Sequence, residues 1–322
     1  MEQQKMDQQP MDRQREMRVG LVGLGNMGAR MAQRLIEAGF DLAVCDTRDE
    51  VLDQFEKLGA RGFRLPAELA SESDVVLTVL PDANVVQKVV LGQPSASGGV
   101  SGGGLIDGLR SNSVVVDMTS SLPDVTRAIS RQLTERGVAM LDAPVTGGIS
   151  GAQAGTLTIM VGGDMTVLER VREPLEVLAR VIVHVGPIGS GHTAKALNNL
   201  ITATTLTVTA EAMALGVRMG LDPERLLEVI NQGSARSASS EVKFPQQILS
   251  GRYDRGFTMA LMAKDLGIAL GMGQQAGLSM PVSSSVNELW KMGVSAGMGD
   301  RDHTAIAQLI EQTAGVSLRS DT

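Results

Sequence analysis

A glycine-rich turn between a short apolar run and an amphipathic segment constrains the fold of this chain most strongly. Arg18-Val19-Gly20-Leu21-Val22 is followed at once by Gly23-Leu24-Gly25-Asn26-Met27-Gly28. Met31 and Leu35 then recur at helical spacing, and Gly39 ends the segment. The order strand, Gly-x-Gly-x-x-Gly, helix is typical of a turn that holds the pyrophosphate of a dinucleotide at a helix N-terminus. A glycine-rich turn without a ligand is the alternative.

A second predicted strand, residues 41–45, ends in an acidic residue. Asp46 follows Gly28 by eighteen residues and is placed to accept hydrogen bonds from the adenosine ribose hydroxyls. A carboxylate there would repel a 2′-phosphate, so NAD is predicted over NADP. Arg48, two residues on, would soften that preference, and a solvated Asp46 at the start of a turn is the alternative.

Strand-like runs separated by helical or loop segments continue to about residue 185. They lie at residues 75–80, 114–117, 138–141, 157–161 and 181–185. This alternation predicts an α/β fold with a doubly wound, mostly parallel sheet. Because ligands collect at the carboxyl ends of such strands, Leu80-Pro81 and Thr119-Ser120 are predicted cofactor contacts, although turn chemistry alone would explain both.

A third strand end carries Asp142-Ala143-Pro144-Val145-Thr146-Gly147-Gly148. A hydroxyl followed by two glycines can present backbone N–H groups in a concave nest that suits a carboxylate. Thr146, Gly147 and Gly148 are therefore candidates for anion binding, with a plain loop as the alternative.

The pattern changes from strand to helix after Gly186-Pro187 and stays helical to the end. The stretch 189–199 opens a long predicted helix, from Thr193 to about Met219. Lys195 and Asn199 are four residues apart and share one face of it. They form either a proton-donating site or a surface lysine beside a polar helix start.

Length and pattern together predict the domain organisation. A chain of 322 residues is long enough for two cores. We expect a disordered, Gln-rich extension at 1–16, a dinucleotide-binding domain at 17–188 and a helical substrate and oligomerisation domain at 189–322. The extension has no apolar stretch of the kind a secretory signal needs, so a cytoplasmic location is predicted. The apolar run 197–217 is rich in threonine and contains Glu211, which favours a buried helix over a membrane span.

Composition argues against several other classes. A net charge of −7 and an aromatic content of 2% disfavour nucleic-acid binding, which needs basic excess and stacking surfaces. The single cysteine, Cys45, excludes an intrachain disulfide framework. His184, His192 and His303 lack metal-ligand spacing, so no metal is predicted.

Four motifs in this order resemble those of the β-hydroxyacid dehydrogenase family. They are the turn at 23–28, Asp-Ala-Pro-Val-Thr-Gly-Gly at 142–148, Gly-Ser-Gly-His-Thr-Ala-Lys with Asn-Asn at 189–199, and Lys-Asp-Leu at 264–266. The resemblance covers residues 17–318. It implies an N-terminal Rossmann domain, an all-α C-terminal domain joined by a long interdomain helix, NAD as cofactor, and a homodimer or homotetramer.

The resemblance also implies residue roles. Lys195 would be the general acid and base in reversible hydride transfer between a 3-hydroxy acid and nicotinamide, so the small-molecule partner is an anionic hydroxy acid or aldehyde. The substrate would be held by Thr146, Gly147, Gly148, Asn198 and Asn199. The resemblance also places Lys264 and Phe257 near the nicotinamide. They join the cofactor residues predicted above from the glycine turn and the strand ends: Gly23, Leu24, Gly25, Asn26, Met27, Gly28, Asp46, Leu80, Pro81, Thr119 and Ser120.

Two positions leave alternatives open. The family usually has Ser where this chain has Thr146, so the hydroxyl is kept but the added methyl narrows the pocket. Arg236, in a polar loop, either binds a second acidic group of the substrate or is a surface residue. The rival functions are an imine reductase of the same superfamily, disfavoured by Lys195 with Asn199, and a non-catalytic scaffold with a dehydrogenase fold.

Overall fold

The structure, a computed structural model, describes residues 17–94, 100–101 and 103–319. The predicted extension at 1–16 lies outside these residues. The chain divides into two units between Lys195 and Ala196. Each unit has a hydrophobic core of its own.

Short runs rich in Val, Leu and Ile form the strands of the first unit, because branched side chains suit a pleated surface that is covered on both sides. In the part of the chain that the structure describes, the strands are β1 Arg18–Val22, β2 Asp41–Cys45, β3 Arg61–Phe63, β4 Val75–Thr78, β5 Gln93–Pro94, β6 Val100–Ser101, β7 Val114–Asp117, β8 Ala139–Asp142, β9 Val145–Thr146, β10 Leu157–Gly162 and β11 Ala179–Gly186.

One large sheet organises this unit. Its strand order is β11-β10-β8-β7-β4-β1-β2-β3, with β9 paired to β10, while β5 and β6 form a separate pair. The neighbouring strands β3, β2, β1, β4, β7 and β8 run parallel, and β10 is antiparallel to β8. The chain winds outward from β1 to β3 and then returns to β4, so the order reverses between β1 and β4. Such a switch point is where open α/β sheets bind ligands.

The helices of the first unit cover both faces of the sheet. They are α1 Gly28–Glu37, α2 Asp49–Lys57, α3 Pro66–Ser71, α4 Ala83–Leu91, α5 Leu105–Gly108, α6 Pro123–Thr134, α7 Gly148–Ala154, α8 Met165–Arg170 and α9 Arg172–Leu178. Alternate residues of β4 show the two cores: Val75 and Leu77 pack into one cluster and Val76 into the other. The predicted doubly wound, mostly parallel sheet is confirmed.

The second unit is helical. A long helix, α10 Ser190–Arg218, starts in the first unit and continues into the second. The others are α11 Pro223–Gln232, a π-helical segment Ser239–Leu249, α12 Met259–Gln275, α13 Pro281–Gly293, a second π-helical segment Val294–Met298, a 3₁₀ turn His303–Ala305 and α14 Ile306–Ala314. Trp290 fills the centre of this unit, and its indole N–H donates to the Thr207 hydroxyl at 3.0 Å.

The all-α character predicted for the C-terminal domain is confirmed, and the predicted limits 17–188 and 189–322 stay a prediction. Helix α10 is long and apolar enough to cross a membrane by length and composition, but half of its most apolar window is buried inside the protein. A single helix of this kind is weak evidence for a membrane span.

Candidate active site

The turn after β1 has the shape that a pyrophosphate needs. Gly23 has φ of +97° and its N–H donates to the Cys45 carbonyl at 2.9 Å. A Cβ on Gly28 would clash with the carbonyl of Gly23, whereas a Cβ on Gly25 would meet no atom within 4 Å. Gly28 therefore lets α1 pack on the turn, and Gly25 faces the open space where backbone N–H groups at the helix start can bind phosphate. These residues fit NAD.

Asp46 lies beside that turn, at the end of β2. Its carboxylate accepts from the Leu24 N–H at 2.7 Å and from the Arg48 side chain at 2.9 and 3.0 Å. Burial raises the pKa of Asp46, but the hydrogen bonds from Arg48 and Leu24 outweigh it and leave the pKa below its usual value. Asp46 is thus ionised at neutral pH, as recognition of a ribose requires.

The loops after β4 and β7 are joined at the same edge of the sheet. The Leu80 N–H donates to the Thr119 hydroxyl at 3.1 Å, and the Thr119 N–H donates to the Asp117 carboxylate at 3.1 Å. A Cβ on Gly23 would clash with the Val79 carbonyl. The glycine turn and the loop that carries Leu80 and Pro81 are therefore in direct contact, and Ser120 follows Thr119 in the adjoining loop.

The loop after β8 ends in two glycines with left-handed backbone. Thr146, in β9, pairs with Thr158 of β10, which holds the residue just before the two glycines on the sheet. Gly147 has φ of +127° and Gly148 has φ of +66°, conformations that side-chain-bearing residues rarely adopt. Helix α7 begins at Gly148, so Thr146, Gly147 and Gly148 precede or open its first turn.

Lys195 lies in the second turn of α10 and is 8% exposed. That burial disagrees with a surface lysine, one of the two alternatives left open by the sequence. The first turn of α10 is held by Asp142 of β8, whose carboxylate accepts from the N–H groups of Gly189 and His192 at 2.7 and 2.8 Å. Lys195 is thus carried by the part of the helix that is attached to the sheet.

A polar cluster in the second unit contains the predicted asparagines. The Asn199 amide donates to Asp265 at 2.6 Å and accepts from the Asn198 amide at 3.1 Å. Asp265 is 1% exposed, and its other carboxylate oxygen lies 3.5 Å from the Lys264 ammonium. The Lys-Asp pair is therefore not a solvated helix face, because its carboxylate is buried against Asn199.

The remaining two predicted residues, Phe257 and Arg236, contact other partners. The Phe257 ring packs edge-on against His303 at 5.7 Å, and the His303 imidazole contacts the Phe257 carbonyl at 3.1 Å. Burial lowers the pKa of His303 to about 4, so its neutral ring donates to that carbonyl. The Arg236 side chain is 63% exposed and lies 3.6 Å from Glu241, the geometry of a surface ion pair.

Three buried residues around the start of α10, Asp142, His192 and Asp117, were not among the site residues predicted from the sequence. Asp142 and His192 stand inside two of the motifs, but their side chains show no pattern that predicts a mutual contact. Asp117 is a strand-end residue whose carboxylate turns inward to the Thr78 hydroxyl at 2.9 Å. Among the described residues, no group of three or more His, Cys, Asp or Glu has an arrangement for a metal ion, and the absence of a metal stays a prediction.

Two family models cover most of the chain. Residues 18–186 match the NAD-binding domain of 6-phosphogluconate dehydrogenase. Residues 189–310 match the model described as the NAD-binding domain of NADP-dependent 3-hydroxyisobutyrate dehydrogenase. The first match includes the glycine turn, Asp46 and the 142–148 loop, and the second begins at the start of the Lys195 motif.

Individual relatives agree over nearly their full length. The chain is 35% identical to 2-(hydroxymethyl)glutarate dehydrogenase of Eubacterium barkeri, covering 95% of this chain and 98% of the relative. It is 37% identical to the NAD-dependent L-serine dehydrogenase of Pseudomonas aeruginosa, covering 92% and 99%. A solved structure of Mycobacterium tuberculosis 3-hydroxyisobutyrate dehydrogenase with L-serine has a TM-score of 0.82 at 30% identity, covering 91% and 99%. The chain therefore belongs to the β-hydroxyacid dehydrogenase family and is an NAD-dependent oxidoreductase.

Proposed function

We propose that the protein reversibly oxidises the primary alcohol of a small 3-hydroxy acid to the semialdehyde, with Lys195 as general acid and base. The observation that carries this proposal is the buried position of Lys195 on a helix whose first turn is attached to the end of β8. An amine held in a fixed place is what proton transfer to a substrate oxygen needs.

The substrate class follows from what the named substrates of the relatives have in common. The names of three relatives refer to 2-(hydroxymethyl)glutarate, L-serine and 3-hydroxyisobutyrate. Each compound is a carboxylate whose α-carbon carries a CH₂OH group, and they differ in the third substituent. We assign the shared carboxylate to Thr146, Gly147 and Gly148, and the hydroxymethyl oxygen to Lys195.

The other predicted residues receive supporting roles. The amides of Asn198 and Asn199 would hold the substrate, the latter oriented by its hydrogen bond to Asp265. Lys264 and Phe257 would lie near the nicotinamide. Arg236 would reach a second acidic group only by leaving Glu241, so its surface alternative is the better supported of the two.

The residues of the chain would position the substrate and the cofactor and transfer one proton. NAD, when bound, accepts the hydride in the oxidative direction and returns it in the reductive one. During oxidation the neutral Lys195 amine takes the hydroxyl proton, and during reduction its ammonium gives that proton back to the oxygen. Help of this kind is worth roughly 10²–10⁴-fold in rate.

The test is Lys195→Ala, assayed with NAD and a panel of the three 3-hydroxy acids above. We expect kcat to fall by roughly 10²–10⁴-fold, with the dissociation constant of NADH, measured by fluorescence, unchanged. Lys57→Ala, an exposed lysine at the end of α2, is the matched control and should keep full activity. Retained turnover in Lys195→Ala would rule out the proposed role.

The same panel separates the rival functions. An imine reductase would reduce cyclic imines and leave the hydroxy acids untouched. A scaffold would turn over none of the compounds with NAD or NADP. Oxidation of at least one of the hydroxy acids with NAD excludes both.

We further propose a cytoplasmic homo-oligomer, a homodimer or homotetramer. In the second unit, α10 and the residue after it carry exposed apolar side chains at spacings of four and seven, which places them on one face: Leu197, Ile201, Val208, Leu215 and Met219. This apolar stripe also includes the exposed Glu211, and its repeated apolar exposure supports an interface with another copy of the chain.

A further inference from the structure

The N-terminus of α10 is capped from the sheet instead of from its own preceding turn. Asp142, the last residue of β8, is fully buried and places one carboxylate oxygen 2.7 Å from the Gly189 N–H and the other 2.8 Å from the His192 N–H. A capping carboxylate is usually the residue just before the helix. Because Asp142 precedes His192 by fifty residues, its two hydrogen bonds connect two distant parts of the chain.

Two glycines make this connection possible. A Cβ on Gly162 of β10 would clash with the Asp142 carboxylate, and a Cβ on Gly191 of α10 would clash with the carbonyls of Asp142 and Met160. The helix start therefore lies directly against the strand ends, with no room for a side chain between them. Such close packing leaves the first turn of α10 little freedom to shift.

The His192 side chain gives a second attachment. Its Nδ1 is hydrogen-bonded to the Thr126 hydroxyl at 2.8 Å, with the donor set by the tautomer of the ring. The same hydroxyl lies 3.1 Å from the Leu122 carbonyl. Nε2 faces the buried Asp117 carboxylate at 3.7 Å, so the ring lies between α6 and the end of β7.

These contacts lie next to the residues assigned to the reaction. Lys195 follows His192 by three residues and so lies one turn further along the same face of α10. On the other side of the connection, β8 continues from Asp142 directly into the loop with Thr146, Gly147 and Gly148. One buried carboxylate thus joins the chain segment of the proposed base to that of the proposed carboxylate site.

We propose that Asp142, supported by His192, is a positioning residue for Lys195. It holds the first turn of α10 on the end of β8 and so fixes where the Lys195 amine lies relative to the Thr146–Gly148 loop. The proposal rests on the proposed role of Lys195. It predicts that loosening the attachment slows the chemical step without weakening the binding of NAD.

The variant Asp142→Asn keeps the size of the side chain but turns an amide group toward one of the two backbone N–H groups. With the fastest substrate of the panel, we expect kcat to fall by about 10²-fold, the cost of a misplacement of about 1 Å. The dissociation constant of NADH for Asp142→Asn should stay within about twofold of that of the unmodified protein. The control variant Asp164→Asn should also bind NADH within about twofold of the unmodified protein. Asp164 caps α8 by the same type of bond, at 2.7 Å to Thr166, and its variant should keep full kcat.

A double-mutant cycle distinguishes positioning from a general loss of structure. If Asp142 acts through Lys195, then Lys195→Ala/Asp142→Asn should be no slower than Lys195→Ala alone. If the two losses multiply, Asp142 acts independently of Lys195 and the proposal is wrong. Full kcat in Asp142→Asn beside an inactive Lys195→Ala would remove the positioning role and leave the proposed function intact. Turnover by Lys195→Ala would remove the proposed function itself.

If Asp142→Asn does not fold, substitutions at His192 carry the same test. His192→Asn keeps a polar group that can donate to or accept from the Thr126 hydroxyl, and His192→Leu keeps only the bulk. We expect kcat to be rescued in His192→Asn relative to His192→Leu, with equal NADH binding in both. Equal and undiminished kcat in the two variants would contradict the proposal.

Discussion

At the scale of single residues, Asp46 and Arg48 form an ion pair at the end of β2, beside the glycine turn. The carboxylate already accepts four hydrogen bonds, one from the Leu24 N–H, one from the Arg48 N–H and two from the Arg48 guanidinium. A carboxylate offers about four acceptor positions, so ribose hydroxyls must compete with Arg48 for them. We therefore expect the preference for NAD over NADP to depend on the pairing of Asp46 with Arg48.

Replacing that carboxylate should shift the cofactor preference. In Asp46→Ser, Arg48 loses its partner and becomes available for a 2′-phosphate, which a guanidinium binds well. We expect the ratio of kcat/KM for NADP to that for NAD to rise by about tenfold or more. The control is Asp49→Ser. Asp49 lies on α2, and its exposed carboxylate is paired with Arg64. An unchanged ratio in Asp46→Ser would show that Asp46 does not select the cofactor.

At the scale of elements, short-range patterns predicted the strands with long apolar runs and missed the two- and three-residue strands β3, β5, β6 and β9. Val75, Val76 and Leu77 form a strand because both faces of β4 are covered, as their unbroken apolar run indicates. The sequence predicts a helical C-terminal region but not the π-helical form of Ser239–Leu249. This segment contains Pro245, and a proline inside a helix usually kinks or ends it because it cannot donate a backbone hydrogen bond. Its buried Phe244 and Ile248 pack into the core of the second unit, so tertiary packing stabilises a helix that local preference disfavours.

In the turn between β1 and α1, Gly28 allows close packing and Gly25 faces open space, a difference that the motif alone does not show. Gly28→Ala should lower both stability and NAD binding, because its Cβ clashes with the Gly23 carbonyl and overpacking costs about 1–3 kcal/mol. Gly25→Ala should keep the stability of the fold within about 0.5 kcal/mol and still weaken NAD binding, because its Cβ points into open space.

Denaturant unfolding and NADH fluorescence on the two variants check this difference. Equal loss of stability in Gly25→Ala and Gly28→Ala would contradict the assignment of open space at Gly25. Undiminished NADH binding in Gly25→Ala would show that the cofactor does not approach this residue.

At the scale of the whole molecule, the apolar stripe on α10 is exposed to solvent in the single chain, and no contact among the residues that the structure describes covers it. Ile201 and Leu215 are each 64% exposed although the helix that carries them also forms part of the core of the second unit. Exposure of that extent, repeated along one face of a helix, favours burial against another copy of the chain.

Charging this stripe should therefore dissociate an oligomer. We expect the unmodified protein to elute with the mass of a dimer or tetramer in size-exclusion chromatography with light scattering, and Ile201→Glu/Leu215→Glu to shift toward the 33.9 kDa monomer. Val229→Glu, an exposed apolar residue of α11 outside the stripe, is the matched control. A monomeric unmodified protein, or equal dissociation by the control, would contradict the assignment of the interface.

The sequence by itself determined the fold class, the cofactor and the family, because each depends on short-range patterns: strand, glycine turn and helix in succession, an acid at a strand end, and four motifs in order. It also singled out Lys195 and Asn199, which one helical turn brings together. Only the tertiary structure decided that Asp142 holds the start of α10, that His192 lies between Thr126 and Asp117, and that Asp265 is buried against Asn199. These pairs lie far apart along the chain, so only the strand order of the sheet and the packing of the helices bring them within hydrogen-bonding or close polar contact.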